Sequence, residues 1–172
     1  VWTTTPWSLV GNAGLAYNEE IEYGVYQVED KLIICSNDQS HMIPNSKFVK
    51  NMSLNELSNL KPLHPFHTDG YPLMDGDCVF VNHTFVKNNV GTGFVHLGPS
   101  HSQDDFMVWE EYFPNREFPN PVDQHGKYNN VPLFGEEYVV KKGEFGEASE
   151  SVTKQLDDYG LLLSVNSQDL TV

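Results

Sequence analysis

The sequence predicts an α+β fold. Short runs of β-branched and aromatic residues bounded by turn residues read as strands, and capping patterns ahead of apolar-periodic segments read as helices. The two kinds of element do not alternate regularly as a parallel strand–helix–strand fold requires.

The elements follow in chain order. "WTTTPWS", Trp2 to Ser8, reads as an extended segment whose consecutive threonines put hydroxyls on both faces. "EYGVYQVEDKLIICS" reads as two short strands around a Glu29-Asp30 turn. "SLNELSNL" carries Ser53 and Glu56 at capping-box spacing and stops before Lys61-Pro62, which makes it a short helix. "CVFVNHTFV" has the composition of a strand. "GFVHL" is a strand leaving a "GTG" turn, and "PSHS" is a loop. The helix "SQDDFMVWEEYF" follows, capped by Ser102 and stopped by Pro114, with Asp104 and Asp105 suiting the positive end of its dipole. Val152, Leu156 and Tyr159 share a helical face ahead of Gly160, a candidate C-cap. "LLLSV", residues 161–165, reads as a final strand.

Length and charge bound the function. The 172 residues are expected to form a single domain with a core of its own, and no apolar run approaches the roughly 18–20 residues of a membrane span. The first residue is Val1 rather than methionine, so the chain is expected to be a piece of a longer protein. A net charge of −14, with Arg116 the one arginine among nine scattered lysines, opposes any independent grip on nucleic acid. If a nucleic acid is the substrate, other domains hold most of it. Cys35 and Cys78 are too few and too far apart for a disulfide framework or zinc site, which favours a reducing, intracellular setting.

Two clusters carry chemistry. The first is the hydroxyl-rich Trp2–Ser8 segment, able to bond a ribose, a water or an ester carbonyl, or to be a plain edge strand. The second is His96, His101, Asp104 and Asp105. A metal site is one reading, but neighbouring aspartates on a helix point about 100° apart and rarely serve one ion. A Ser/His/Asp triad using Ser100 or Ser102 lacks nucleophile-elbow spacing. The plain alternative is that the aspartates complement the helix terminus and the histidines are loop residues.

Together the two motifs resemble those of the editing domain, connective polypeptide 1, inserted in class I isoleucyl-tRNA synthetases. The family's first signature is similar to W-T-T-T-P-W-T-L-P-A/G-N, and this chain reads "WTTTPWSLVGN". The second is similar to G-T-G-x-V-H-x-A-P-G-H-G-x-D-D-Y/F, and this chain reads "GTGFVHLGPSHSQDDF". "HPF" from His64 and "PVDQHGKY" from Pro121 also sit where the family has similar segments. Ser8 stands where the family has threonine, Val10 where it has proline, Gly98 where it has alanine, and Ser100 and Ser102 where it has glycines. Valyl and leucyl enzymes share the insertion and the aspartate; His96 and the three threonines favour the isoleucyl branch.

The resemblance implies a β-barrel-like core with peripheral helices, standing out from a Rossmann-type catalytic domain absent from this chain. It implies hydrolysis of valine wrongly esterified to isoleucine tRNA, with the valyl or leucyl counterpart, or a catalytically silent structural module, as alternatives. By this resemblance Asp105 anchors the substrate's α-ammonium, and Thr4, Thr5 and Ser8 contact ester, ribose or water. Thr3 does the same or faces the core. Trp2 packs on the terminal adenosine or in the core, Gly93 lines the substrate, and His96 limits pocket depth or acts as a general base. His101 and Asp104 are expected to be structural. No metal or organic cofactor is implied. The implied partners are the 3′ end of an aminoacylated tRNA and the rest of a monomeric synthetase. The implied setting is a bacterial-type cytoplasm, or else an organelle, with no membrane.

Overall fold

A computed structural model describes residues 1–141 and 144–165. The chain opens with irregular backbone and a 3-10 helix at Pro6–Gly11. It continues through β1 (Gly14–Tyr17), β2 (Tyr23–Val28), β3 (Lys31–Ser36) and β4 (Lys47–Asn51) to α1 (Leu54–Ser58). Then come β5 (Val79–Asn82), β6 (Val95–Leu97), α2 (Gln103–Tyr112), the short pair β7 (Val140–Lys141) and β8 (Glu144–Phe145), and α3 (Ala148–Asp158).

The first sheet has the order β5-β1-β6, with β1 parallel to β5 and antiparallel to β6, pairing Leu15 with His96. The second is an antiparallel meander, β3-β2-β4, joined by the expected Glu29-Asp30 turn, where Glu29 adopts φ of +53°. The fold is therefore mixed α+β. Among the described residues the sheets stay separate and none closes into a barrel. Sheets of three, three and two strands each hold fewer strands than a closed barrel is built from.

Local signals form the helices where the sequence places them. Ser53 and Glu56 make a reciprocal capping box at α1. Ser102 Oγ accepts the Asp105 N–H at 3.3 Å and so caps α2. Gly160, with φ of +66°, terminates α3.

Two expected extended segments are otherwise. Trp2–Ser8 forms no strand: Pro6 begins the 3-10 helix, and the Thr5 N–H turns back to Thr3 Oγ1 at 3.0 Å. Proline's fixed φ and its suitability for a first helical position favour this outcome over a ladder. Residues 161–165 are also irregular, because the amides of Leu161 and Leu162 both donate to the Leu156 carbonyl, at 2.8 and 3.2 Å. Backbone groups spent on closing a helix end are not free to pair in a sheet.

The cores explain what holds the future site. Leu9 and Val10 of the 3-10 helix pack with Val152 and Ala148 of α3 and with Phe66, Tyr71 and Tyr128. Each large apolar side chain so buried contributes about 1.5–3 kcal/mol. A second cluster, including Ala16, Val81, Leu97 and Val108, joins the first sheet to α2. Tyr17, Tyr23, Leu57 and Phe94 form a third, in which residues of the two sheets meet α1. No helix among the described residues is long and apolar enough to cross a membrane.

Candidate functional site

The 3-10 helix is pinned from three sides. The Tyr128 hydroxyl donates to the Trp7 carbonyl at 2.7 Å, and the Ala13 N–H donates to the Leu97 carbonyl at 2.7 Å. His64 accepts the Phe66 N–H at Nδ1 (3.1 Å), so the proton sits on Nε2, which donates to the Leu9 carbonyl at 2.8 Å. The last of these gives the "HPF" segment a structural task.

The first turn gathers hydroxyls. Thr3 Oγ1 lies 3.3 Å from Thr5 Oγ1, which lies 3.1 Å from Ser8 Oγ. Ser8 is buried and donates to the Thr5 carbonyl at 2.7 Å. Its single proton is thereby committed, so the 3.2 Å contact with His96 Nε2 has the histidine as donor. His96 is then neutral with its proton on Nε2, and Nδ1 is a buried acceptor with no partner among the described residues. Burial, with His101 nearby, lowers its pKa to about 4, which fits a neutral ring near pH 7.

Asp105 reaches the same region from the first turn of α2. It is only 6% exposed, and its Oδ2 accepts the Gly98 N–H at 2.9 Å. Burial raises its pKa, while the Gly98 and Ser102 hydrogen bonds act against that rise. His96, His101 and Asp105 all border Gly98: a Cβ there would stand 3.6 Å from His96 Cε1, 3.5 Å from His101 Cδ2 and 4.0 Å from Asp105 Oδ2.

The structure thus brings Thr3, Thr5, Ser8, His96 and Asp105 into one neighbourhood. Thr4 is exposed. Trp2, 40% exposed, lies over the "GTG" turn, with its Cβ 3.5 Å from where a Cβ on Gly91 would be. Gly93 is buried behind that turn; its carbonyl accepts the Tyr23 hydroxyl at 2.6 Å, and a Cβ would meet Ser36 Cβ at 2.7 Å. Asp104 is exposed on α2.

His101, expected to be loop structure, belongs to the neighbourhood. Its ring packs edge-on against Trp7, centroids 4.8 Å apart, and occupies the space a Cβ on Gly11 would need, at 2.6 Å from Nε2. It wedges the hydroxyl-bearing helix against the loop entering α2. The spacing of "GPSHS" carries no sign of this, because the partners are almost a hundred residues away.

The chemistry available is that of a placed carboxylate, a neutral imidazole and hydroxyls. Burial pushes the Cys35 and Cys78 thiols up to about 11, so neither supplies a thiolate near neutral pH. Among the described residues no three His, Cys, Asp or Glu side chains are grouped so as to hold a metal ion.

The whole chain has relatives among known proteins. No family model matches the chain. It is 32% identical over 190 residues to an isoleucine–tRNA ligase of Agrobacterium fabrum, covering 91% of this chain and 19% of that protein. It is 32% identical over 195 residues to the isoleucine–tRNA ligase of Bradyrhizobium diazoefficiens, covering 95% of this chain and 19% of that one. Among solved structures it is similar to GlLeuRS-CP1, a leucyl-tRNA synthetase domain, with a TM-score of 0.54 and 26% identity over 66% of this chain and 43% of that one. The chain spans about a fifth of the length of these curated relatives.

Proposed function

The chain belongs to the isoleucyl-tRNA synthetase family as its editing domain, and from that membership we propose that it hydrolyses valine wrongly esterified to isoleucine tRNA. The observation that carries the reading is Asp105: a buried carboxylate, held by the Gly98 N–H, that borders Gly98 together with His96, whose Nε2 meets Ser8 Oγ.

The need for a second site is energetic. Isoleucine and valine differ by one methylene, worth about 1–3 kcal/mol in an apolar pocket, a magnitude for which isoleucyl enzymes are themselves the standard case. An aminoacyl ester is labile, so the site needs a placed water and stabilised charge rather than a strong nucleophile. In this reading Asp105 binds the α-ammonium, and a charge-assisted bond in a partly dry pocket fixes the ester carbonyl. Thr3, Thr5 and Ser8 hold the ribose, the ester or the water. Water adds to the carbonyl, and the tetrahedral intermediate collapses with departure of the ribose oxygen, which takes up a proton.

His96 is a weak base at a pKa of about 4, which favours a wall and hydrogen-bond acceptor over a general base. Thr4, being exposed, is placed to meet the incoming RNA end rather than the acyl group. Trp2, over the "GTG" turn, offers a face for the terminal adenosine. No cofactor enters these steps. The chain acts as one domain of a monomeric synthetase in a bacterial-type cytoplasm, which grips most of the tRNA elsewhere.

The test is deacylation of isoleucine tRNA charged with valine or with isoleucine, by the parent enzyme with and without Asp105→Asn. Loss of valine, sparing of isoleucine and at least about a hundredfold fall in the variant are expected, the scale of removing one charge-binding group. Equal, slow loss in every case would make the domain a silent scaffold.

A further inference from the structure

His101 touches the 3-10 helix on both sides of Ser8. Its ring meets Trp7 edge-on, at 75° with centroids 4.8 Å apart. It also fills a notch at Gly11, where a Cβ would come within 2.6 Å of Nε2, 3.1 Å of Cδ2 and 3.2 Å of Pro121 Cδ. Gly11 does not adopt a left-handed φ, so its backbone does not require glycine; the space taken by the imidazole does. On its own side the ring is held by the His101 N–H, which donates to the Gly98 carbonyl at 2.9 Å, and by Ser100 Oγ, 3.2 Å from Nε2. The Gly98 N–H in turn donates to Asp105 Oδ2 at 2.9 Å. One short loop therefore holds the carboxylate at Gly98 and the hydroxyl-bearing helix at His101. Burial lowers the His101 pKa to about 4, so near pH 7 the ring is a neutral, planar spacer.

We propose that His101 is a positioning residue for ester hydrolysis: seated in the Gly11 notch and against Trp7, its ring sets the distance between the helix that carries Ser8 and the loop that holds Asp105. The inference rests on the reading of this site as an aminoacyl-ester hydrolase. The ring transfers no proton and acts through the helix. Without it, the bonds from Tyr128 to the Trp7 carbonyl and from His64 to the Leu9 carbonyl remain, so the helix persists but shifts. A displacement of about 1 Å in a positioning group can cost on the order of a hundredfold in rate.

The experiment measures kcat and KM of the parent synthetase for deacylation of isoleucine tRNA charged with valine. Wild type is compared with His101→Ala, His101→Gln, Gly11→Ala and the double variant of Gly11→Ala with His101→Ala, each checked for folding by urea unfolding. His101→Ala and Gly11→Ala should each lower kcat about tenfold or more, with KM within about twofold because most of the tRNA is gripped elsewhere. The two losses should not multiply. Once the ring is gone a Cβ at position 11 no longer meets it, so the double variant should stay within about threefold of His101→Ala. His101→Gln, whose amide reaches the place of Nε2 and does not titrate, should keep kcat within about threefold of wild type. An unchanged kcat in His101→Ala, a loss confined to KM, or losses that multiply would each overturn the proposal. A Gln variant as slow as Ala would overturn it too, by making the ring a proton carrier. Should His101→Ala fail to fold, Gly11→Ala decides, and an unchanged kcat there overturns the proposal equally. A wild type that does not hydrolyse the valine ester overturns the hydrolase reading itself, and the proposal with it.

Discussion

At the scale of single residues, the imidazole of His64 is committed at both nitrogens and stacked on Tyr71, with centroids 4.7 Å apart. Burial lowers its pKa from 6.5 to about 4, the Leu9 hydrogen bond opposing the shift. Between those values the unfolded chain binds a proton that the folded chain refuses, so stability is intact above pH 6.5 and falls as pH drops towards 4. His64, 1% exposed, accounts for on the order of 3 kcal/mol over that window. His96 and His101 shift in the same direction, whereas Asp105, with a raised pKa, acts in the opposite one. Urea unfolding of the chain at pH 7 and pH 4.5 should show the loss, and His64→Phe should flatten the slope. A slope unaltered in that variant would remove His64 from the account. Motif spacing groups His96, His101, Asp104 and Asp105 without separating their roles. It does not say that His101 packs against the first motif, a placement that depends on the missing Cβ of Gly11.

At the scale of elements, what was legible is what is local. The capping box of α1, the Ser102 cap of α2 and the Glu29-Asp30 turn each depend on residues within four positions, and each forms as expected. Trp2–Ser8 and residues 161–165 carry extended composition yet form no strand, because their backbone groups are claimed elsewhere: by Thr3 and the 3-10 turn in one case, by Leu156 in the other. Composition reports β-propensity and says nothing of which amide is already used. The Ser102 cap also fixes the first turn of α2, in which Asp105 sits. Ser102→Ala should cost about 1 kcal/mol in denaturant unfolding. It should also lower editing by the parent enzyme, and Ser102→Thr should restore both. Lost stability with unchanged hydrolysis would show that the cap does not help to place the carboxylate.

At the scale of the whole molecule, the charge of −14 leaves the chain few cations with which to neutralise phosphates. Fluorescence titration of the isolated chain with isoleucine tRNA at physiological salt should give a Kd weaker than about 1 μM, since few phosphates can be neutralised. Nanomolar binding would contradict this. The α+β class was legible from the mixture of signals. The separation of the sheets was not, because which strands pair, and how many join one sheet, is a matter of long-range register that no composition reveals. The bonds around the 3-10 helix join residues 55, 88 and 121 positions apart. Long loops must therefore close before the site exists, which makes its assembly a late event. During translation the motif at the start of this chain emerges before the rest of it, yet it waits for Tyr128 and then for α3 before it is braced. A chain halted on the ribosome short of that residue would carry every hydroxyl, His96 and Asp105 while still lacking one of the anchors that brace them.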